Sequence, residues 1–326
     1  SVAVQLGDDQ LAFAADADTA ELAPDTVICA YDLVPSVTAG LDREHVSAIL
    51  TETGGMTSHS AILARAMGIP AILGIPQLTE TLKSGDFVIV DAETGCVTLA
   101  PTEDDIAHAK ALQAAYVEKK RALAAFIEKK AETADGLRLE AAGNIGKPED
   151  AAAVMQNGGD GVGLFRTEFL FMDREHAPTE DEQFEAYKKA ALILKGKPLI
   201  VRTLDVGGDK DIPYLGLKKE ENPFLGFRAI RFCLAHTDLF KTQLRALLRA
   251  GVYGDIRIML PLVTNVDEIK ETRKLLEKCT AELAESGISY AENIKLGIMV
   301  ETPAASLCAD ILAKHADFFS IGTNDL

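Results

Sequence analysis

From residue 135 onward, short apolar runs alternate with helical stretches, and this alternation constrains the fold more than any other feature of the sequence. Strand-like runs lie at 137–145, 161–165, 199–203, 256–260, 294–300 and 317–321. The clearest helical stretches lie at 180–195, 239–250, 266–285 and 303–314. Repeated β–α units predict a parallel sheet with right-handed crossovers. A (β/α)8-type barrel cut after about six units and an open, doubly wound sheet both remain open, because periodicity alone does not separate them.

The first third of the chain has a different pattern. Residues 1–100 contain short β-like runs bounded by Gly, Pro, Asp or Thr, with one clear helix at 60–67, which predicts a compact α/β domain. Residues 102–134 are rich in Ala, Glu and Lys without Gly or Pro, and predict one long helix. A surface helix and a connector that allows domain movement are both compatible with this pattern. We therefore predict an N-terminal domain at 1–100, a helical linker at 101–135 and a barrel domain at 136–326.

The charge balance excludes some classes of partner. The 326 residues include 33 Lys and Arg against 50 Asp and Glu, so the net charge is −17. Proteins that bind nucleic acid or anionic membranes carry an excess of basic residues, so neither partner is expected. No apolar run is long enough to insert into a membrane, no secretory signal is visible, and the five cysteines form no C-x-x-C pair. These features predict a cytoplasmic protein.

Polar side chains follow four of the predicted strands. Arg166 and Arg202 lie at the ends of two strands, Glu301 follows a third, and Asn324 and Asp325 follow the last. Ligand sites of parallel α/β folds lie at the carboxyl ends of the strands, so these groups are expected on one face. Arginines bind phosphate and paired carboxylates suit Mg²⁺, so the set predicts phosphoryl-transfer chemistry. Singly, each could be a helix cap or a local ion pair.

A histidine in the first domain has an unusual setting. His59 follows a double glycine and two natural N-cap residues, Thr57 and Ser58, at the predicted start of the 60–67 helix. A helix N-terminus disfavours the imidazolium form and would stabilise an attached phosphate. His59 is therefore a candidate nucleophile toward phosphorus. The familiar ATP-binding motif G-x-x-x-x-G-K-[ST] is missing from the sequence, which disfavours ATP as the donor.

Six segments together resemble a known family. They are GGMTSHSAILARAMGIPAILG (54–74), GVGLFRTEFLFMDR (161–174), VRTLDVGGDK (201–210), ENPFLGFRAIR (221–231), LGIMVETPAA (296–305) and DFFSIGTNDL (317–326). In this combination they resemble the enzyme I family of the bacterial phosphoenolpyruvate (PEP)-dependent sugar phosphotransferase system, within the PEP-utilising enzymes. The resemblance implies an N-terminal swivelling phosphohistidine domain, a helical linker and a PEP-binding TIM barrel.

The resemblance also implies a role for each candidate residue. His59 would be phosphorylated through Nε2, and Arg166 and Arg202 would bind the PEP phosphate. Glu301 and Asp325 would ligate Mg²⁺, and Asn324 and Asp325 would also contact PEP. Arg228 is a weaker candidate for the same pocket, and Lys210 is weaker still.

The implied function is phosphoryl transfer from PEP to the histidine and on to the carrier protein HPr, which is the first step of sugar uptake. Pyruvate would be the product. The full-length protein would be a homodimer. The chain departs from the family pattern because the HPr-docking helical subdomain is not seen, and the family's last strands, with another PEP-binding arginine and a catalytic cysteine, would follow Leu326. The chain thus looks truncated. Alternatives are a phosphorylatable or ligand-binding fragment without full activity, a nitrogen-signalling paralogue, and an enzyme like PEP synthase or pyruvate phosphate dikinase.

Overall fold

A computed structural model describes residues 2–4, 11–13, 25–33, 45–55, 61, 64, 68–172, 174–207, 212–217 and 226–326. The chain divides into two compact units, Ser1–Ala125 and Phe126–Leu326. No helix in these described ranges is long and apolar enough to cross a lipid bilayer.

The first unit contains two sheets in its described part. The parallel sheet has the order β2 (Leu11–Phe13), β3 (Thr26–Ala30), β4 (Val46–Thr51) and β5 (Ala71–Ile72). The antiparallel sheet has the order β1 (Val2–Val4), β6 (Val88–Asp91) and β7 (Cys96–Leu99). All five residues of β3 are buried, as expected for an apolar run inside a parallel sheet.

The core of the first unit joins its two sheets. Val27 and Cys29 of β3 pack with Val88 and Val90 of β6 and with Leu78, which opens the short helix α1 (Leu78–Thr81). Burial raises the pKa of the Cys29 thiol to about 12. Of the predicted 60–67 helix, Ala61 and Ala64 are helical, whereas His59 lies outside the described residues.

The long helix of the first unit, α2 (Glu103–Ala124), is shorter than predicted. Thr102 caps its start through a reciprocal pair of hydrogen bonds with Asp105, at 2.9 and 3.2 Å. Ala109 packs against Ile89, whereas the apolar side chains farther along the helix are exposed. The prediction of one helix over 102–134 is wrong beyond Ala124, because the chain turns at 125–128, where the first unit ends and the second begins.

The second unit is built on a six-stranded parallel sheet in its described part. Its strands are β8 (Ala142–Ile145), β9 (Gly161–Arg166), β10 (Leu199–Arg202), β11 (Ile256–Leu260), β12 (Lys295–Val300) and β13 (Phe319–Ile321). Each strand pairs with its neighbours in sequence, so the order runs from β13 to β8 without a reversal. Doubly wound sheets reverse their strand order, so this is the half-barrel alternative of the two that the periodicity left open.

Helices follow the strands of the second unit, as the alternating pattern predicts. They are α3 (Asp150–Gln156), α4 (Glu180–Leu194), α5 (Ile230–Ala235), α6 (Thr237–Ala250), α7 (Val266–Glu285), α8 (Pro303–Leu307) and α9 (Ala309–Leu312). The helix predicted at 303–314 is divided into two short ones at Cys308. The core between helices and sheet includes Phe165, Tyr187, Leu244 and Ile298, which are all fully buried.

Candidate functional site

The sheet of the second unit brings the predicted strand-end residues to one edge. Arg166 is the last residue of β9 and Arg202 the last of β10, and these two positions are directly in register. Glu301 directly follows β12, and Asn324 and Asp325 lie in the turn that follows β13. Because all six strands are parallel, these carboxyl ends lie on the same side of the sheet, as predicted.

A buried carboxylate joins the first two arginines. The chain leaves β9 through a 3-10 turn, Thr167–Leu170, which carries the fully buried Glu168. Its Oε1 atom accepts from Arg166 Nε at 3.1 Å and from Arg202 Nη2 at 2.7 Å. One carboxylate oxygen therefore holds two guanidinium groups from neighbouring strands.

A second buried carboxylate extends this arrangement. Asp205 lies 3.2 Å from Arg202 Nη2 and accepts two hydrogen bonds from Arg228, at 2.8 and 3.0 Å. Arg228 Nη1 in turn lies 3.6 Å from Asp325 Oδ1. Gly207, at φ +113°, lets the backbone approach Arg228, since a Cβ there would lie 2.9 Å from the Arg228 Cβ. Three arginines and three carboxylates thus alternate along the strand ends.

The surroundings of Arg228 keep its guanidinium charged. Burial alone would lower the pKa of Arg228, but the hydrogen bonds to Asp205 and the charges of Asp205 and Asp325 outweigh burial and raise the pKa. Its side chain is 5% exposed, so these carboxylates replace water as its partners.

Glu301 lies at the same edge in a different environment. It is 2% exposed, and its Oε1 accepts the Leu262 N–H at 2.6 Å. Burial raises the pKa of Glu301 above its usual value, and the negative charges of Asp205 and Asp325 add to this effect. The Leu262 N–H and the charge of Arg202 oppose it. The balance indicates a carboxylate that a further positive charge would stabilise.

The turn after β13 packs directly on Glu301. A Cβ on Gly322 would lie 2.9 Å from both Cβ and Oε2 of Glu301, so this position needs glycine for close approach. No group of three or more His, Cys, Asp or Glu within the described ranges could hold a metal ion. Two carboxylates can still hold Mg²⁺ when substrate phosphate and water complete its oxygen ligands, and Glu301 with Asp325 fits that pattern.

The site also presents hydrogen-bond donors for an anion. Arg202 Nε and Thr203 Oγ1 are buried and have no hydrogen-bond partner among the described residues. The Arg166 side chain is 41% exposed, and its guanidinium lies over the Phe169 ring at 4.8 Å from the centroid. Buried donors without partners are costly, and a bound anion would satisfy them.

The structure adds residues to which sequence reasoning gave no role and leaves others undescribed. In the sequence, Glu168 follows Arg166 by two residues and Asp205 follows Arg202 by three. Their contacts with the more distant Arg202 and Arg228 depend on tertiary structure, which the sequence pattern does not show. Asn324 is exposed in its turn. The predicted sites at His59 and Lys210 lie outside the described residues.

Comparison with known families decides the identity of this fold. Residues 120–326 match the family described as PEP-utilising enzyme, PEP-binding domain. The chain belongs to the PEP-utilising enzymes. Residues 22–95 match a second description, PEP-utilising enzyme, mobile domain. The family resemblance predicted from the six sequence segments is thus confirmed.

The relatives of this PEP-utilising enzyme carry one name. The phosphoenolpyruvate-protein phosphotransferases of Priestia megaterium and Geobacillus stearothermophilus are each 50% identical over 305 residues, 94% of this chain and 53% of theirs. That of Listeria monocytogenes is 49% identical over 302 residues, 93% of this chain and 53% of its own. The chain therefore spans about half the length of these curated relatives. An NMR structure titled Enzyme I (nEIt) is 39% identical over 31% of this chain and 40% of its own, with a TM-score of 0.29.

Proposed function

We propose that the chain carries out phosphoryl transfer from PEP to His59 and onward to the carrier protein HPr. The name of its relatives, phosphoenolpyruvate-protein phosphotransferase, supports a transfer from PEP to a protein. The observation that carries this proposal is the alternating row of arginines and carboxylates at the strand ends, with a buried Arg202 Nε that lacks a partner among the described residues. Such a row offers donors for a phosphate beside carboxylates for a cation.

Arg166 and Arg202 would bind the PEP phosphate. Glu168 holds both guanidinium groups before substrate arrives, so little ordering is needed on binding. Asn324 and Asp325 would contact the rest of PEP, and Arg228 is a weaker candidate for the same pocket. Arg166 and Arg202 together with a bound Mg²⁺ ion would make the local positive pocket by which a chain of net charge −17 takes an anionic substrate.

Glu301 and Asp325 would hold Mg²⁺. When bound, the ion neutralises developing charge on the transferring phosphoryl group. The surroundings of Glu301 support this assignment, because the side chain is buried beside the charges of Asp205 and Asp325 and a cation there would offset both its burial and that repulsion.

The transfer step would be nucleophilic. A neutral His59 attacks phosphorus through Nε2, the ester bond between phosphorus and the enol oxygen breaks, and the enolate becomes pyruvate on protonation at carbon. The start of the helix predicted at 60–67 would stabilise the phosphate on His59. Movement of the first domain would carry the phosphoryl group from PEP to HPr. We further propose a cytoplasmic location and a homodimer for the full-length protein.

Labelling with [³²P]PEP and Mg²⁺ tests this function. The complete polypeptide that carries this sequence should take up label that is labile in acid and stable in base, and HPr should remove it. The matched control is His45→Ala, since His45 lies in the same domain without a comparable motif. His59→Ala should abolish labelling whereas His45→Ala should not, and label that persists in His59→Ala would refute the assignment.

A further inference from the structure

A buried glutamine lies beneath the strand ends that carry the two phosphate-binding arginines. Gln243 projects from α6 and is 1% exposed. Its Oε1 accepts the backbone N–H of Leu204 at 2.9 Å. Its Nε2 donates to Thr167 Oγ1 at 3.2 Å and to the Tyr187 hydroxyl at 3.2 Å. Both polar atoms of this one side chain are therefore used.

Two of these contacts reach the loops that leave β9 and β10. Thr167 directly follows Arg166, and its hydroxyl donates to the backbone oxygen of Arg202 at 2.7 Å. Leu204 lies two residues after Arg202. Gln243 therefore links Thr167, which follows Arg166, to the backbone of Leu204, which lies two residues after Arg202.

The Gln243 hydrogen bonds act on a different part of the structure from the Glu168 bridge. Glu168 joins the two guanidinium groups themselves, whereas Gln243 fixes the backbone from which both side chains extend. Small displacements of phosphate-binding groups cost affinity, because the donors must converge on one anion. The contacts are fully buried, so water cannot replace them if the amide is lost.

We infer that Gln243 is a positioning residue for PEP binding, acting through Thr167 and Leu204 on the relative placement of Arg166 and Arg202. This inference rests on the proposed function, in which those arginines bind the PEP phosphate. Gln243 itself touches no substrate.

Three variants of the complete polypeptide test the inference. Gln243→Met keeps an unbranched side chain of similar length and removes the amide. Thr167→Val removes only the hydroxyl that links Gln243 to Arg202, and it decides the question if Gln243→Met does not fold. Tyr187→Phe is the matched control, because it removes a buried hydroxyl from the same network and leaves the Gln243 contacts to the strand ends in place.

The probe is phosphonopyruvate with Mg²⁺, since its P–C bond cannot transfer the phosphoryl group. Calorimetric titration is carried out well below the melting temperature of every variant, so that reduced stability alone does not change the affinity. We expect Gln243→Met and Thr167→Val to weaken binding roughly tenfold, as the loss of one or two buried hydrogen bonds implies. Tyr187→Phe should lower the melting temperature with little change in affinity.

Two outcomes would overturn the inference. One is wild-type affinity in a folded Gln243→Met or Thr167→Val protein, and the other is an equal loss in Tyr187→Phe. Arg202→Ala separates this inference from the proposed function. Unchanged probe binding in Arg202→Ala would refute both, whereas loss there with wild-type binding in Gln243→Met would refute only the positioning role.

Discussion

Replacing Glu168 by Gln tests how much the bridged arginine row contributes to the stability of the second unit. The substitution keeps the size of the side chain and removes its charge. Glu168 is fully buried and bonds Arg166 at 3.1 Å and Arg202 at 2.7 Å through one oxygen. Removing one partner of a buried ion pair typically costs ~3–5 kcal/mol, because the other charge stays buried.

Several features of the site reduce this cost. Arg202 keeps Asp205 at 3.2 Å, Arg166 is 41% exposed to water, and the glutamine oxygen still accepts a hydrogen bond. We therefore expect Glu168→Gln to lower the free energy of unfolding by about 2 kcal/mol.

Urea unfolding followed by far-UV circular dichroism measures this change, and amide exchange in β9 and β10 assigns it to the second unit. The matched control is Glu185→Gln, which breaks an exposed ion pair with Lys188 at 3.2 Å and should change the free energy by less than ~0.5 kcal/mol. If the changes in the free energy of unfolding of the two variants differ by less than the error of the measurement, the contacts of Glu168 with Arg166 and Arg202 do not stabilise the second unit and our reasoning is wrong.

Three further predictions concern other parts of the chain. Gly322→Ala should weaken Mg²⁺-dependent binding of PEP, measured by calorimetry, because its Cβ would lie 2.9 Å from Glu301 Oε2; unchanged binding would contradict this packing. The backbone N–H of Thr179 is the largest of several causes that lower the pKa of Glu182 from 4.5 to about 2. Because the folded-state pKa is the lower one, this stabilisation is present above pH 4.5 and is lost as the pH falls toward 2, so melting temperatures of wild type and Glu182→Gln should converge over that window. Cys29, with its pKa raised to about 12, should resist alkylation at pH 8 until the first unit unfolds, and rapid labelling of folded protein would contradict its burial.

The sequence patterns predicted the second unit well because the relevant forces are local. The helix expected at 266–285 has the observed bounds, and all six strands occur where apolar runs lie between turn residues. Arg166, Arg202 and Glu301 were placed by one rule, that parallel strands end on the same side of a sheet. The half-barrel could be distinguished from a doubly wound sheet only by strand order, which depends on tertiary pairing.

The features that sequence reasoning missed depend on contacts between distant residues. Gln243 lies 76 residues from Thr167, and no periodicity connects them. Glu168 is 34 residues from Arg202, although an acid two residues after a strand-end arginine could have marked it. The error at α2 has the opposite cause, because favourable local propensity continues past Ala124, whereas the helix ends there, at the boundary between the two units.

The most direct test of the account is the binding of PEP at the strand ends of the second unit. Phosphonopyruvate with Mg²⁺ is titrated into the complete polypeptide as wild type and as Arg202→Lys, which keeps the charge but loses the planar fork of donors. We expect a clear loss of affinity in Arg202→Lys, because Nη2 bonds Glu168 whereas Nε, which lacks a partner among the described residues, would remain for the phosphate. Equal affinity of the two proteins would show that PEP does not bind through this arginine and would contradict the central claim.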